Sequence, residues 1–300
     1  MRIGIDVGGT KIEGVALDDR GHMRERQRIP ARRGDYHGTI DAIVGLVRDL
    51  ERTFGAAATV GVGIPGVISP ATGLVKNANS TWLIGHPLGD DLPRALGRAV
   101  RFANDANCFA LSEATDGAAA GAAVVFGAIL GTGVGGGIIV NGRVWTGCNA
   151  IAGEWGHNPL PAPHDDERPG RACYCGRNGC IETFLSGPGM TGDYVAGGGD
   201  AADAAEVVTR ASAGESAACA CLERYEDRLA RALASVINVL DPEVIVLGGG
   251  LSNIDRLYVS IPARWGAYVF SDRVSTRLVR AAHGDSSGVR GAAWLWEARR

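Results

Sequence analysis

The chain has 300 residues with 30 Lys and Arg against 33 Asp and Glu, a net charge of −3, and 46% hydrophobic residues. That length suggests about two domains with a sizeable core. The balanced, interspersed charge gives no electrostatic reason to expect nucleic acid or an anionic membrane as partner.

Met1-Arg2-Ile3-Gly4-Ile5-Asp6 lacks the apolar run of a signal peptide. Strands are expected at Arg2–Val7, Glu13–Leu17 and His22–Arg28, the first two joined by a glycine turn. Apolar residues at Ile40, Ile43, Val44, Val47 and Leu50 mark one face of a helix over Thr39–Phe54. Val60–Ile64 reads as a strand, Asp91–Arg98 as a helix, Val100–Ala103 as a strand and Ala106–Ala119 as a helix. Ala122–Val140 approaches the length of a membrane span, but its six glycines disfavour helix and it divides into strands at Val124–Leu130 and Ile138–Val140. A loop-rich stretch follows from Cys148 to Gly179, then a long amphipathic helix over Ser216–Leu240 ended by Asp241-Pro242. Val244–Leu247 enters Gly248-Gly249-Gly250, and a closing helix is expected from Gly284 to Ala298. Both halves therefore begin strand, glycine turn, strand, which is the organisation of a two-domain clamp with a nucleotide in its cleft.

The turn Asp6-Val7-Gly8-Gly9-Thr10-Lys11 leads into a strand rather than a helix, unlike a dinucleotide-binding loop, and no Walker-A pattern occurs. A tight hairpin can instead bring bare backbone amides to phosphate oxygens, with Thr10 and Lys11 adding donors. Gly131-Thr132-Gly133-Val134-Gly135 repeats the design, although a glycine hairpin without any ligand has the same appearance. Asp6 is suited to hold Mg²⁺ through water or to cap its turn.

His157 with Cys173, Cys175 and Cys180 forms a Cys₃His set, the ligand type of a closed, structural zinc site. The alternative is a group of buried free thiols. Cys219 and Cys221 point to opposite helix sides and, with Cys108 and Cys148, read as core or surface thiols. Seven clustered cysteines argue against a disulfide framework, so the expected compartment is a reducing cytoplasm.

Asn104-Asp105 stands between a strand end and a helix start. A carboxylate there can take the proton of an attacking hydroxyl, and the same pair can simply cap the helix. Glu154 and Glu182 flank the Cys/His segment and, with His157, suit the paired hydrogen bonds of vicinal hydroxyls; both carboxylates also read as ordinary exposed acids. Asn77-Ala78-Asn79-Ser80-Thr81-Trp82 is a polar loop fit for sugar recognition or for a plain turn.

Together these residues resemble the ROK family of sugar kinases, repressors and open reading frames, within the actin-like ATPase superfamily. The resemblance runs from Gly4-Ile5-Asp6-Val7-Gly8-Gly9-Thr10-Lys11 to Arg290-Gly291-Ala292-Ala293. Its most specific part is Glu154-x-Gly156-His157 followed by Cys173-x-Cys175-Gly176-x-x-Gly179-Cys180-x-Glu182. It implies an α/β, actin-like (ribonuclease H-like) fold of two domains. The first would span residues 1–119 with a C-terminal helix near 284–300 and bind phosphate and sugar. The second, residues 120–283, would carry the zinc loop and the adenosine edge at Gly248 and Gly249.

By the same resemblance Asp105 is the catalytic base, and Asn79, Asn104, Glu154, His157 and Glu182 contact the sugar. Gly4 to Lys11 and Gly131 to Gly135 bind ATP, with Mg²⁺ held at Asp6 through water, and His157, Cys173, Cys175 and Cys180 bind zinc. The implied partners are ATP and a hexose, in a homodimer. Residues 76–82 and 153–161 look most like the bacterial fructokinase that also accepts mannose, so phosphorylation of D-fructose at its 6-hydroxyl is expected. N-acetylglucosamine kinase and glucokinase of the same family are the alternatives. A sugar-responsive repressor, which carries a helix-turn-helix ahead of the first phosphate turn, and a sugar-binding protein without catalysis are disfavoured. The first turn begins within ten residues of Met1, and Asp6, Asp105 and both turns are intact.

Overall fold

The computed structural model describes residues 1–55 and 57–296. The chain divides into two compact units. The first comprises Met1–Gly121, Gly137–Ala152 and the segment from Ala282; the second comprises Ala122–Gly136 and Gly153–Ala281.

The first unit is built on β1 (Arg2–Val7), β2 (Lys11–Leu17), β3 (Met23–Pro30), α1 (Tyr36–Phe54), β4 (Thr59–Ile64), β5 (Val67–Ile68), β6 (Val75–Lys76), α2 (Leu88–Leu96), β7 (Val100–Asn104) and α3 (Asp105–Thr115). Its main sheet has the order β3-β2-β1-β4-β7, with β1 antiparallel to β2 and parallel to β4. Side chains alternate along β1. Ile3, Ile5 and Val7 enter the core cluster that α1 covers with Ile40, Ile43, Val47 and Leu50. Asp35 caps α1 by accepting from the Gly38 amide at 2.8 Å, and Gly55 ends it in the left-handed conformation at φ 63°.

The second unit holds β8 (Val124–Leu130) and the start of β9 (Val134–Val140), whose end runs into the first unit beside β10 (Arg143–Val144). Then come α4 (Glu182–Leu185), α5 (Gly187–Ala196), α6 (Ala204–Ser212), α7 (Ser216–Leu240), β11 (Val244–Gly248), α8 (Leu257–Trp265) and β12 (Arg277–Arg280). The sheet order is β10-β9-β8-β11-β12, the same third-second-first-fourth-fifth arrangement as in the first sheet. The duplication expected from two strand–turn–strand openings thus extends to whole sheets.

Under α7 lies a buried charge network. Arg228 donates to Glu167 and Asp193 at 2.7 Å each, and Arg231 reaches Glu167 at 2.8 Å and Asp227 at 2.9 Å. Burial works against ionised Glu167, but the two guanidiniums outweigh it and hold the pKa near 2.

The last element, α9 (Ser287–Trp294), returns to the first unit. It lies so close that a Cβ on Gly61 would sit 1.9 Å from the Ala292 carbonyl oxygen. On Gly291 it would sit 1.7 Å from that of Cys108. The expected helix over 284–298 is a 3-10 turn at Gly284–Ser286 followed by α9; residues 297–298 lie outside the described residues. Residues 137–152 cluster with the first unit, where Gly137 packs on the backbone of Ala106 and Asn107. Short helices α5, α6 and α8 and strands β5, β6, β10 and β12 were not foreseen from the sequence. No helix among the described residues is long and apolar enough to cross a membrane.

Candidate functional site

In the first unit, β1 and β2 meet at a tight turn that the Gly8 amide closes on the Lys11 carbonyl at 2.9 Å. Two contacts from beyond β3 fix its outer side. The Ala31 amide donates to the Thr10 carbonyl at 3.0 Å, and Arg33 Nε donates to the Gly9 carbonyl at 2.7 Å. With these carbonyls engaged, Thr10 and Lys11 stand exposed at the tip. Of the residues assigned to ATP from the sequence, Ile5 and Val7 are buried in the core, and Gly4 is a packing glycine whose Cβ would meet the Val289 carbonyl at 2.0 Å. They position the turn rather than line it.

Asp6 is the penultimate residue of β1, among other acids. Burial, then the charges of Asp105 and Glu13, raise its pKa to about 7 against the pull of Lys11. Like charges gathered in this way are relieved by a cation, so the donor set fits Mg²⁺. Glu13 itself is neutralised by Arg26 and Arg28, each at 2.7 Å.

Asn104 closes β7 and caps α3, its Oδ1 accepting from the Ala106 amide at 2.9 Å while its Nδ2 donates to the Gly66 carbonyl at 3.2 Å. Asp105 is the first residue of α3, and its Oδ1 accepts from the same Ala106 amide at 2.8 Å. These hydrogen bonds bear out the cap. The pair stands at the carboxyl end of β7, in the part of the sheet where β1, β4 and β7 run parallel, and open α/β folds bind their ligands at such ends. Asn79 is exposed in the loop that precedes the turn at Thr81–Leu83.

In the second unit, the Gly131 amide closes the hairpin between β8 and β9 on the Gly133 carbonyl at 3.0 Å. Trp155 pins the same hairpin, its Nε1 donating to the Gly135 carbonyl at 2.8 Å. Glu182, expected at the sugar, accepts from the Val134 amide at 2.9 Å and so ties the hairpin to the start of α4. Sequence reasoning missed both ties, because nothing in the spacing of Trp155 or Glu182 points to a turn some 20 or 50 residues away. Glu154 stands at the head of the turn Trp155–His157. Gly248 ends β11, and Gly249, at φ 80°, lies against Leu130 so closely that a Cβ would be 2.4 Å from its carbonyl oxygen.

The Cys/His segment is folded by paired backbone contacts. Cys173 donates its amide to Arg177, and Leu160 donates to Gly179. Gly176 at φ 86° and Gly179 at φ 70° make the reversals that only glycine adopts readily. The result brings one donor atom each from His157, Cys173, Cys175 and Cys180 within 4.8 Å of one another. Cys175 and Cys180 sulfurs are 3.6 Å apart, and Cys173 Sγ is 3.6 Å from His157 Nδ1. A tetrahedral ion with bonds of about 2.3 Å to sulfur and about 2.0 Å to nitrogen separates such donors by roughly 3.6–3.8 Å. Two of the donor pairs therefore stand at the spacing of a metal centre. Arg177 draws the Cys175 thiol toward its ionised form, while burial pushes Cys180 up. The remaining imidazole nitrogen, Nε2, lies 2.9 Å from the hydroxyl of Tyr174, whose ring meets the imidazole edge-on.

The sequence profile of the ROK family matches residues 2–299. The chain belongs to the ROK family. It is 43% identical over 299 residues to N-acetyl-D-glucosamine kinase of Vibrio cholerae, covering 98% of this chain and 99% of that one. The corresponding kinase of Yersinia enterocolitica is 41% identical over the same length. Among solved structures, the ROK hexokinase of Thermus thermophilus superposes with a TM-score of 0.87 at 29% identity, covering 98% of this chain and 97% of that one. The α/β, actin-like fold expected from the sequence is thus the fold observed. The expectation of fructose as substrate is overturned, because these whole-length relatives are N-acetyl-D-glucosamine kinases.

Proposed function

We propose that this chain transfers the γ-phosphoryl group of ATP to the 6-hydroxyl of N-acetyl-D-glucosamine, giving the sugar 6-phosphate and ADP. The 43% identity to a kinase of that sugar, sustained over 98% of the chain, carries the substrate. The chemistry rests on Asp105, held at the start of α3. Its carboxylate accepts the proton of the 6-hydroxyl as that oxygen attacks the γ-phosphorus and the bond to the β-phosphate oxygen breaks. Asn79, Asn104, Glu154, His157 and Glu182 orient the sugar. The turn at Gly8-Gly9-Thr10-Lys11 and the hairpin at Gly131–Gly135 present amides to phosphate oxygens, and Gly248-Gly249 borders adenosine. Mg²⁺ near Asp6 supplies neutralisation of the phosphate charge. The ion at His157, Cys173, Cys175 and Cys180 is structural zinc, since four protein donors leave no open position. We place the enzyme in the cytoplasm as a homodimer.

ADP release with ATP and Mg²⁺, measured across N-acetylglucosamine, N-acetylmannosamine, glucose, mannose and fructose, tests the proposal. N-acetylglucosamine should give the highest kcat/KM. Preference for glucose would keep the reaction and replace the sugar; no turnover of any of them would end the kinase reading.

A further inference from the structure

A neutral imidazole that binds a metal through Nδ1 carries its proton on Nε2, so the free edge of His157 is a donor whose direction the loop has fixed. That donor is the one expected to meet a sugar oxygen. In the structure the position is already filled: Tyr174 Oη stands 2.9 Å from Nε2, with the rings at 85° and their centroids 5.1 Å apart. A hydroxyl against His157 Nε2 is what the sugar itself would present there.

The side chain that brings it there is 84% exposed. Its backbone, by contrast, sits between Cys173 and Cys175 in the folded loop. Among the described residues, this hydrogen bond and an edge contact hold the ring over the imidazole, and a rotation about the side-chain bonds is enough to remove it.

We propose that Tyr174 is a displaceable gate on the sugar site, its hydroxyl occupying the His157 Nε2 donor until a sugar oxygen replaces it. The proposal rests on the reading of His157 as a sugar contact. It makes Tyr174 a competitor rather than a ligand: each sugar molecule must break the Tyr174–His157 hydrogen bond before forming its own. Removing the competitor should therefore tighten the sugar, and a neutral hydrogen bond of ordinary net strength predicts an effect of about fivefold. Specificity follows the same logic. Because Nε2 only donates, a sugar whose oxygen here is a strong acceptor, such as an acetamido carbonyl, displaces the phenol more readily than one offering a hydroxyl.

Tyr174→Phe keeps the ring and deletes the oxygen. With the sugar that the wild-type enzyme turns over best, its KM and calorimetric Kd should fall about fivefold while kcat and KM for ATP stay unchanged. Bound zinc, measured on the same preparation, should remain at one per chain, showing that the loop stands. Placing 3-fluorotyrosine at position 174 of the full chain provides a second reading: its fluorine resonance should shift with sugar along the same saturation curve. An unchanged or raised sugar Kd in Tyr174→Phe with zinc retained overturns the gate, as does a fluorine signal indifferent to saturating sugar. If instead the wild type binds no sugar, the functional reading falls and takes the gate with it. If Tyr174→Phe loses zinc, the phenol is a support for the metal ligand, which also contradicts displacement.

Discussion

Asn104 and Asp105 show how a proposed base can also belong to a helix cap. Asparagine caps the helix and aspartate begins it, yet both side chains accept from the same Ala106 amide. The cap is what gives the carboxylate a fixed direction. Asp105→Asn should accordingly retain the helix and sugar binding and lose kcat by about 10²–10⁴-fold. Isothermal calorimetry and steady-state turnover on one preparation separate the two, and a kcat within about tenfold of wild type would refute the base assignment. The residue types of this site were legible in the sequence, because phosphate, sugar hydroxyls and metal each demand recognisable groups. Their partners were not. Glu182 on the Val134 amide, Trp155 on the Gly135 carbonyl and Tyr174 on His157 depend on which residues the fold brings together. Substrate choice escaped for a related reason. It turns on a few hydrogen bonds to the sugar, and the residue types of a loop do not fix which ones it makes.

Among elements, the loop from His157 to Cys180 depends most on something other than apolar burial. Tyr174 and Cys175 stand at the surface, and the four donors of the loop lie within 4.8 Å of one another. Cys175→Ser should therefore abolish stoichiometric zinc, lower the melting temperature and weaken sugar affinity through His157, with less effect on KM for ATP. Zinc analysis, thermal unfolding and the two KM values check this; a variant without metal that keeps wild-type stability and sugar KM would contradict it. The strands around the glycine turns and the long helix α7 were legible because their periodicity is strong and uninterrupted. Helices α5, α6 and α8 were not: each has 9 or 10 residues, Pro188 and Pro262 lie within two of them, and tertiary contacts decide them. The network of Glu167, Asp193, Arg228 and Arg231 was invisible for the same reason, its members being spread over more than 60 residues.

For the whole chain, the repeated sheet order means that one strand arrangement was used twice, with a glycine hairpin at the first strand pair of each copy. What distinguishes the first copy is α9, which closes it from the far end of the sequence. Gly291→Ala tests that closure. The new methyl group would sit 1.7 Å from the Cys108 carbonyl oxygen, a backbone atom that a side-chain rotation cannot move. We expect a loss of about 1–3 kcal/mol or more. Gly45→Ala, in helix α1 with nothing within 4 Å of the new group, should be neutral or slightly stabilising. Equal melting temperatures for the two variants would show that α9 does not pack as described.

The same closure sets an order of events during synthesis. Everything that the second unit needs has been made once Ala281 is joined, whereas β1 and β4 wait for a helix that begins at Ser287. The half translated first is thus the half finished last, and its strands must spend nearly the whole of translation without their cover. A chain released at Ala281 would carry every strand and helix of the second unit and a first unit still lacking α9, open to chaperones and proteases.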